Sequence, residues 1–213
     1  MAAFTVVMAY TVDDVYADNY SLWVGGAKVE PTHPSGNYWR YIATSRTLIF
    51  ENNNDEHPGV ITAKDNYAAV QAGSDLPDLT IVLDSNGYVS GNSQSQGCAI
   101  KVNGTGTLTI KQTSNSQNTL NVTGTIETDG DLIIQDTKVM VSGGADDDKG
   151  CINVGGLFKV EDTAAGSDAI VNVEDENDNT LTAIKAGNIT LTGTGIQTPA
   201  GGTISGGTVK DVI

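Results

Sequence analysis

Short strand-like runs recur along this chain in a pattern that no helix would produce. TLIF (47–50), LTIV (79–82), LTIK (108–111), LIIQ (132–135), LFKV (157–160) and ITLT (189–192) carry the anchors Leu48, Leu79, Leu108, Leu132, Leu157 and Ile189, 24 to 32 residues apart. Just ahead of the last four anchors lies a second run: AIKV (99–102), TIET (125–128), CINV (151–154) and AIKA (183–186). A third follows, as TLNV (119–122), KVMV (138–141) and AIVNV (169–173). Alternate residues of a strand face opposite sides, so Ile100 and Val102, Leu120 and Val122, and Ile152 and Val154 are expected inside. Lys101 and Asn153 are expected to face solvent. Apolar spacing at i, i+3, i+4 is nowhere sustained.

Three short strands per repeat, with turns such as NGTG, TDGD, SGGADDDKG and EDENDN between them, predict an all-β parallel β-helix of about 6–7 coils. A single coil cannot bury its inner face, so coils stack and share one linear core, and length variation collects in the turns. A β-sandwich also has short strands punctuated by turns. It has no reason to repeat like residues at like places, so the β-helix is preferred.

Aromatic residues break the repetition. Eleven of the twelve Phe, Trp and Tyr residues fall within the first 88 positions, and only Phe158 lies beyond. The segments NYSLWVGGAKV (19–29) and NYWRYIATSRTLIF (37–50) therefore predict a different element, an aromatic-rich N-terminal cap covering the open end of the first coil. The boundaries expected are a signal remnant or tail over 1–17, then one domain over 18–213. Within it, 18–46 forms the cap region and 47–213 the stacked coils. The stretch 1–17 has a cleavable-looking Val15-Tyr16-Ala17 but lacks a basic start and carries Asp13 and Asp14. The strand pattern runs into GGTISGGTVKDVI, as expected of a fragment of a longer protein or a last coil covered by something else.

The formal net charge is −15, from 26 acids against 11 bases, which argues against nucleic acid or an anionic membrane as partner. The same charge opposes direct binding of a polyanionic polysaccharide, unless a divalent cation bridges the two. No apolar run is long enough to cross a membrane as a helix. Cys98 and Cys151 occupy like positions two coils apart, about 9–10 Å at about 4.8 Å per strand, which is too far for a disulfide. Two free cysteines are expected, at least one of them buried, with small core residues the favoured reading.

Catalytic chemistry finds little footing. The arginines, Arg40 and Arg46, lie in the cap region, away from the acidic turns. His33 and His57 each precede a proline, and Lys149 is flanked by aspartates that favour its charged form. Paired carboxylates would need a groove to converge on, and the acids here fall in turns. NGTGT (103–107) opens no helix, so it reads as a turn and not a phosphate loop. No enzyme is expected.

Two acid-rich turns invite a metal. ADDDKG (145–150) offers Asp146, Asp147 and Asp148, and VEDENDN (173–179) offers Asp175 and Asp178 beside Glu174, Glu176 and Asn179. Calcium takes six to eight oxygens from such loops, and Asp129 and Asp131 in a neighbouring turn lie within reach of one of them. Neither turn has EF-hand spacing, so calcium ligation and a solvated, edge-blocking turn both stand. The rings of Trp23, Tyr38, Trp39 and Tyr41 carry a similar choice between cap packing and stacking on sugar faces.

The opening NYSLWVGG, then TLIF and the stacked G-x-I-x-V…G-x-L-T-I coils, resemble a family of secreted bacterial carbohydrate-binding β-helix proteins. That family is similar to pectate lyases in fold but is better described as binding polysaccharide than as cleaving it. The resemblance covers roughly 18–213. It implies a right-handed parallel β-helix, Ca2+ in acidic turns, a secreted or cell-surface location, and a plant-cell-wall or host cell-surface glycan as ligand. A non-catalytic polysaccharide-binding module is therefore expected, as a monomer. Similar repeats also build adhesins, so a structural or adhesive stalk without a specific glycan is the alternative.

Overall fold

The computed structural model describes residues 21–30, 35–51, 59–76, 78–92, 97–113, 118–143, 151–163, 169–174, 182–192, 195–197, 203–206 and 209–212. The chain begins with β1 (Leu22–Val24), β2 (Ala27–Lys28) and β3 (Trp39–Ile42), then a 3-10 turn over Ala43–Ser45. Strands then follow in threes: β4 (Thr47–Phe50), β5 (Ile61–Thr62), β6 (Val70–Ala72); β7 (Leu79–Leu83), β8 (Gly87–Ser90), β9 (Cys98–Val102); β10 (Thr107–Gln112), β11 (Thr119–Thr123), β12 (Thr125–Thr128). The order continues through β13 (Asp131–Gln135), β14 (Lys138–Ser142), β15 (Ile152–Glu161), β16 (Ile170–Glu174), β17 (Thr182–Thr192), β18 (Gly195–Gln197), β19 (Thr203–Gly206) and β20 (Val209–Val212).

Every third strand pairs in parallel with its counterpart in the next coil. A first ladder runs β4–β7–β10–β13 and on through the C-terminal halves of β15 and β17 to β20. A second runs β5–β8–β11–β14–β16–β18. A third runs β6–β9–β12 and through the N-terminal halves of β15 and β17 to β19. This is a parallel β-solenoid. The parallel register excludes the β-sandwich, whose neighbouring strands would be antiparallel.

The core is one column inside the three ladders. Ile100, Ile126, Ile152 and Ile184 stack in register on the third ladder, all at 0 % exposure. Leu120, Val139 and Val171 do the same on the second. All six predicted core residues (Ile100, Val102, Leu120, Val122, Ile152 and Val154) are buried, whereas Lys101 and Asn153 point outward and are half-buried.

Two anchors need correction. Leu132 pairs with Phe158, not Leu157, and Phe158 is fully buried while Leu157 is half-buried. β15 keeps one offset against the coil before it, Thr128 beside Val154 and Leu132 beside Phe158, so of the adjacent apolar pair in LFKV it is Phe158 that faces inward; at Gly155-Gly156 the register shifts only against β17. Leu48 aligns with Ile81 and not Leu79, a two-residue offset that keeps it on the inner face.

The N-terminal strands do not join the parallel pattern. β1 forms antiparallel pairs with both β2 and β6, and β3 is antiparallel to β4, so both ladders are closed at that end by reversed strands. At the corner between the second and third ladders, Gly124 adopts φ +120°, and a Cβ there would lie 2.1 Å from Gly97 O. Only glycine lets the backbones of successive coils pack this closely. Just past that corner, Cys98 and Cys151 are buried without a disulfide. The coil carrying Thr125 separates them.

Acidic and amide side chains in the turns join coil to coil. Asp78 Oδ1 accepts from Thr107 N–H (3.0 Å), Asn86 Oδ1 from Thr119 N–H (2.9 Å), Asp131 Oδ1 from Leu157 N–H (2.8 Å) and Asp136 Oδ1 from Thr163 N–H (2.6 Å). Asn103 Nδ2 donates to Ala72 O (3.0 Å) and Asn118 Nδ2 to Leu83 O (3.1 Å). Turn residues read as solvated or metal-binding thus satisfy backbone groups that a stacked corner would otherwise leave unpaired.

Candidate functional site

The four rings singled out in the sequence do not form one platform. Tyr41 is buried in the core and offers no ring face to a ligand. Trp39, opposite Phe50 on the antiparallel β3–β4 pair, is half-buried against that core. Trp23 lies on the outer face of the third ladder, where it stacks on Tyr67 with ring centroids 5.0 Å apart and planes 21° apart. Tyr38 sits at another corner, so close to Gly59 that any side chain there would collide with its ring.

Tyr38 opens onto a small cleft with room for about one water, shared with Phe50, Glu51, Asn86 and Tyr88. Glu51 is held by Arg40, Nε to Oε2 at 2.8 Å. Arg46 pairs with Asp78 at 3.3 Å, so this arginine does touch an acidic turn, contrary to expectation. With a carboxylate on each, the arginines stand as cap ties at the entry to the solenoid.

From the cleft, the outer face of the second ladder continues as a row. Tyr88 lies beside Asn121, Asn121 beside Met140, and Met140 beside Asn172. A parallel row holds Ser90, Thr123 and Ser142. Sequence reading passed over both rows because their members are far apart in the chain. Extending the TLNV–KVMV–AIVNV alignment back to GYVS and reading the outward positions would have found them. The third-ladder face differs: Lys101 Nζ pairs with Glu127 Oε2 at 3.7 Å, and Lys185 stands in the same row.

Asp146, Asp147, Asp148, Asp175 and Asp178 lie outside the described residues. The neighbouring carboxylates expected to join them are engaged with backbone: Asp129 Oδ2 accepts from Gly104 N–H (3.2 Å), and Asp131 holds Leu157 N–H. Among the described residues no cluster of three or more His, Cys, Asp or Glu is placed to hold a metal ion. Nor is any helix there long and apolar enough to cross a membrane. Compared with known proteins, the chain matches no family model, no curated protein and no solved structure, so the fold stands as a parallel β-solenoid on its own geometry.

Proposed function

We propose that this protein is a non-catalytic polysaccharide-binding module, secreted or displayed at a cell surface, on a rigid β-solenoid. The observation that carries this reading is the set of half-exposed rings, Trp23, Tyr38 and Tyr88, at the N-terminal end of a rod whose interior is filled by packed side chains. Rings that keep part of their surface in water suit the apolar C–H faces of sugars. The acidic charge turns away nucleic acid and anionic surfaces. A structural or adhesive stalk is the second reading, favoured by the uninterrupted core column.

Retention on insoluble cellulose and on other immobilised plant and cell-surface glycans separates the two. The module is expected to be retained, and at least one of Trp23→Ala, Tyr38→Ala and Tyr88→Ala to weaken retention while the fold persists by circular dichroism. No retention on any glycan would leave the stalk. Trp39 and Tyr41 make poor probes, because truncating them removes core packing. Thermal melting with calcium or with EGTA tests the metal: an unchanged midpoint would leave the acidic turns as solvated turns. A calcium-dependent rise that disappears in Asp147→Asn would establish the metal.

A further inference from the structure

We infer that the glycan lies along the outer face of the second ladder, and that it is an uncharged one; this rests on the polysaccharide-binding reading above. The row Tyr88, Asn121, Met140, Asn172 and the row Ser90, Thr123, Ser142 both run across the strands, along the solenoid axis. Their members recur about every 4.8 Å, the spacing of paired strands. Amide and hydroxyl groups both donate and accept hydrogen bonds without net charge, as sugar hydroxyls do. Tyr88 and the exposed Met140 add apolar surface between them. Asn121 Nδ2 reaches Gly87 O at 3.5 Å, which holds this amide along the row. The cleft beside Tyr38 continues the face toward the N-terminal end.

Charge decides both the face and the ligand class. Among the outward strand positions of this face from Thr62 to Asn172 only Lys138 is charged, and Glu174 takes the register position after Ser142 at the row's far end. The third-ladder face carries Lys101, Glu127 and Lys185, and the first ladder carries the Lys159–Glu161 pair at 2.6 Å. Those ionic groups are engaged with one another, Lys101 with Glu127 and Lys159 with Glu161, whereas the second-ladder rows carry neutral donors and acceptors. One lysine against a net charge of −15, with Glu51 in the adjoining cleft, leaves a polyuronate repelled.

The test is affinity electrophoresis of the whole chain in gels holding a neutral glucan, a neutral mannan or polygalacturonate. Retardation is expected in a neutral gel, unchanged between low and moderate salt, with none in polygalacturonate. Asn121→Ala and Asn172→Ala are each expected to weaken neutral-glycan binding about 5- to 10-fold, the loss of roughly one hydrogen bond. Asn121→Asp should weaken it at least as much with little effect on folding, and Lys101→Ala on another face should leave it unchanged. Retardation by polygalacturonate as strong as by neutral chains would overturn the ligand class and leave the binding module standing. Neutral binding that falls with Trp23→Ala but ignores the asparagine variants would overturn the face alone. No retardation in any gel would overturn both this inference and the reading beneath it.

Discussion

Phe158 and Leu157 are adjacent, both apolar, and differ in one respect that a single experiment can read. Phe158 has 0 % exposure and stands in the first ladder between Leu132 and Ile189, which are themselves buried. Coils above and below hold the walls of its site, so truncation to alanine leaves a hole that the backbone cannot close. Phe158→Ala should therefore cost about 3–5 kcal/mol. Phe158→Leu, a side chain the neighbouring coil already carries in this row, should cost less than about 1.5 kcal/mol. Leu157 is half-buried, and Leu157→Ala should cost less than about 1 kcal/mol.

Urea titration followed by far-ultraviolet circular dichroism measures the three variants. Tryptophan fluorescence, followed separately, reports only the N-terminal end, because Trp23 and Trp39 both lie there. Coils contact only their neighbours, so Phe158→Ala should move the dichroism transition further than the fluorescence one. A Leu157→Ala variant as damaging as Phe158→Ala would refute the register drawn through Gly155-Gly156.

Other consequences of the fold are as direct. Gly124→Ala places a Cβ against Gly97 O at φ +120° and should cost on the order of 1–3 kcal/mol by denaturant midpoint. Asp131→Ala strips the acceptor from Leu157 N–H and should cost about 1–2 kcal/mol, whereas Asp131→Asn keeps an oxygen there and should cost less. Both thiols should resist a thiol reagent in the native protein and react when it is unfolded, with no change in melting on adding reductant.

The solenoid was legible because its information is repetitive. Inward Ile and Leu positions recur, and the third-ladder column of Ile100, Ile126, Ile152 and Ile184 follows from aligning four short runs. What failed was local. LFKV sets two large apolar residues side by side, and only the offset already fixed by Thr128 beside Val154 shows that Phe158, not Leu157, continues the Leu132 row. The candidate site was less legible because a solenoid builds its surface across coils. The rings clustered in sequence, Trp23, Tyr38, Trp39 and Tyr41, scatter over different faces and the core. Tyr88, Asn121, Met140 and Asn172 share a row only once the ladders exist. Acidic residues misled for a related reason. Asp131 looked like an ion ligand in one dimension, and stacking makes it the acceptor of the next coil's N–H.

That stacking also sets how the molecule carries load. Ladder hydrogen bonds run from strand to strand, slanted in a parallel pair, and in a solenoid that direction lies close to its long axis. Tension between the two ends then acts on the coil interfaces in series and can open them one at a time, from an end inward. A pull across the rod meets the packed column and many bonds at once. A chain drawn out along its axis should lengthen in steps of about one coil, a tether that yields gradually and re-forms by coil docking onto its neighbour.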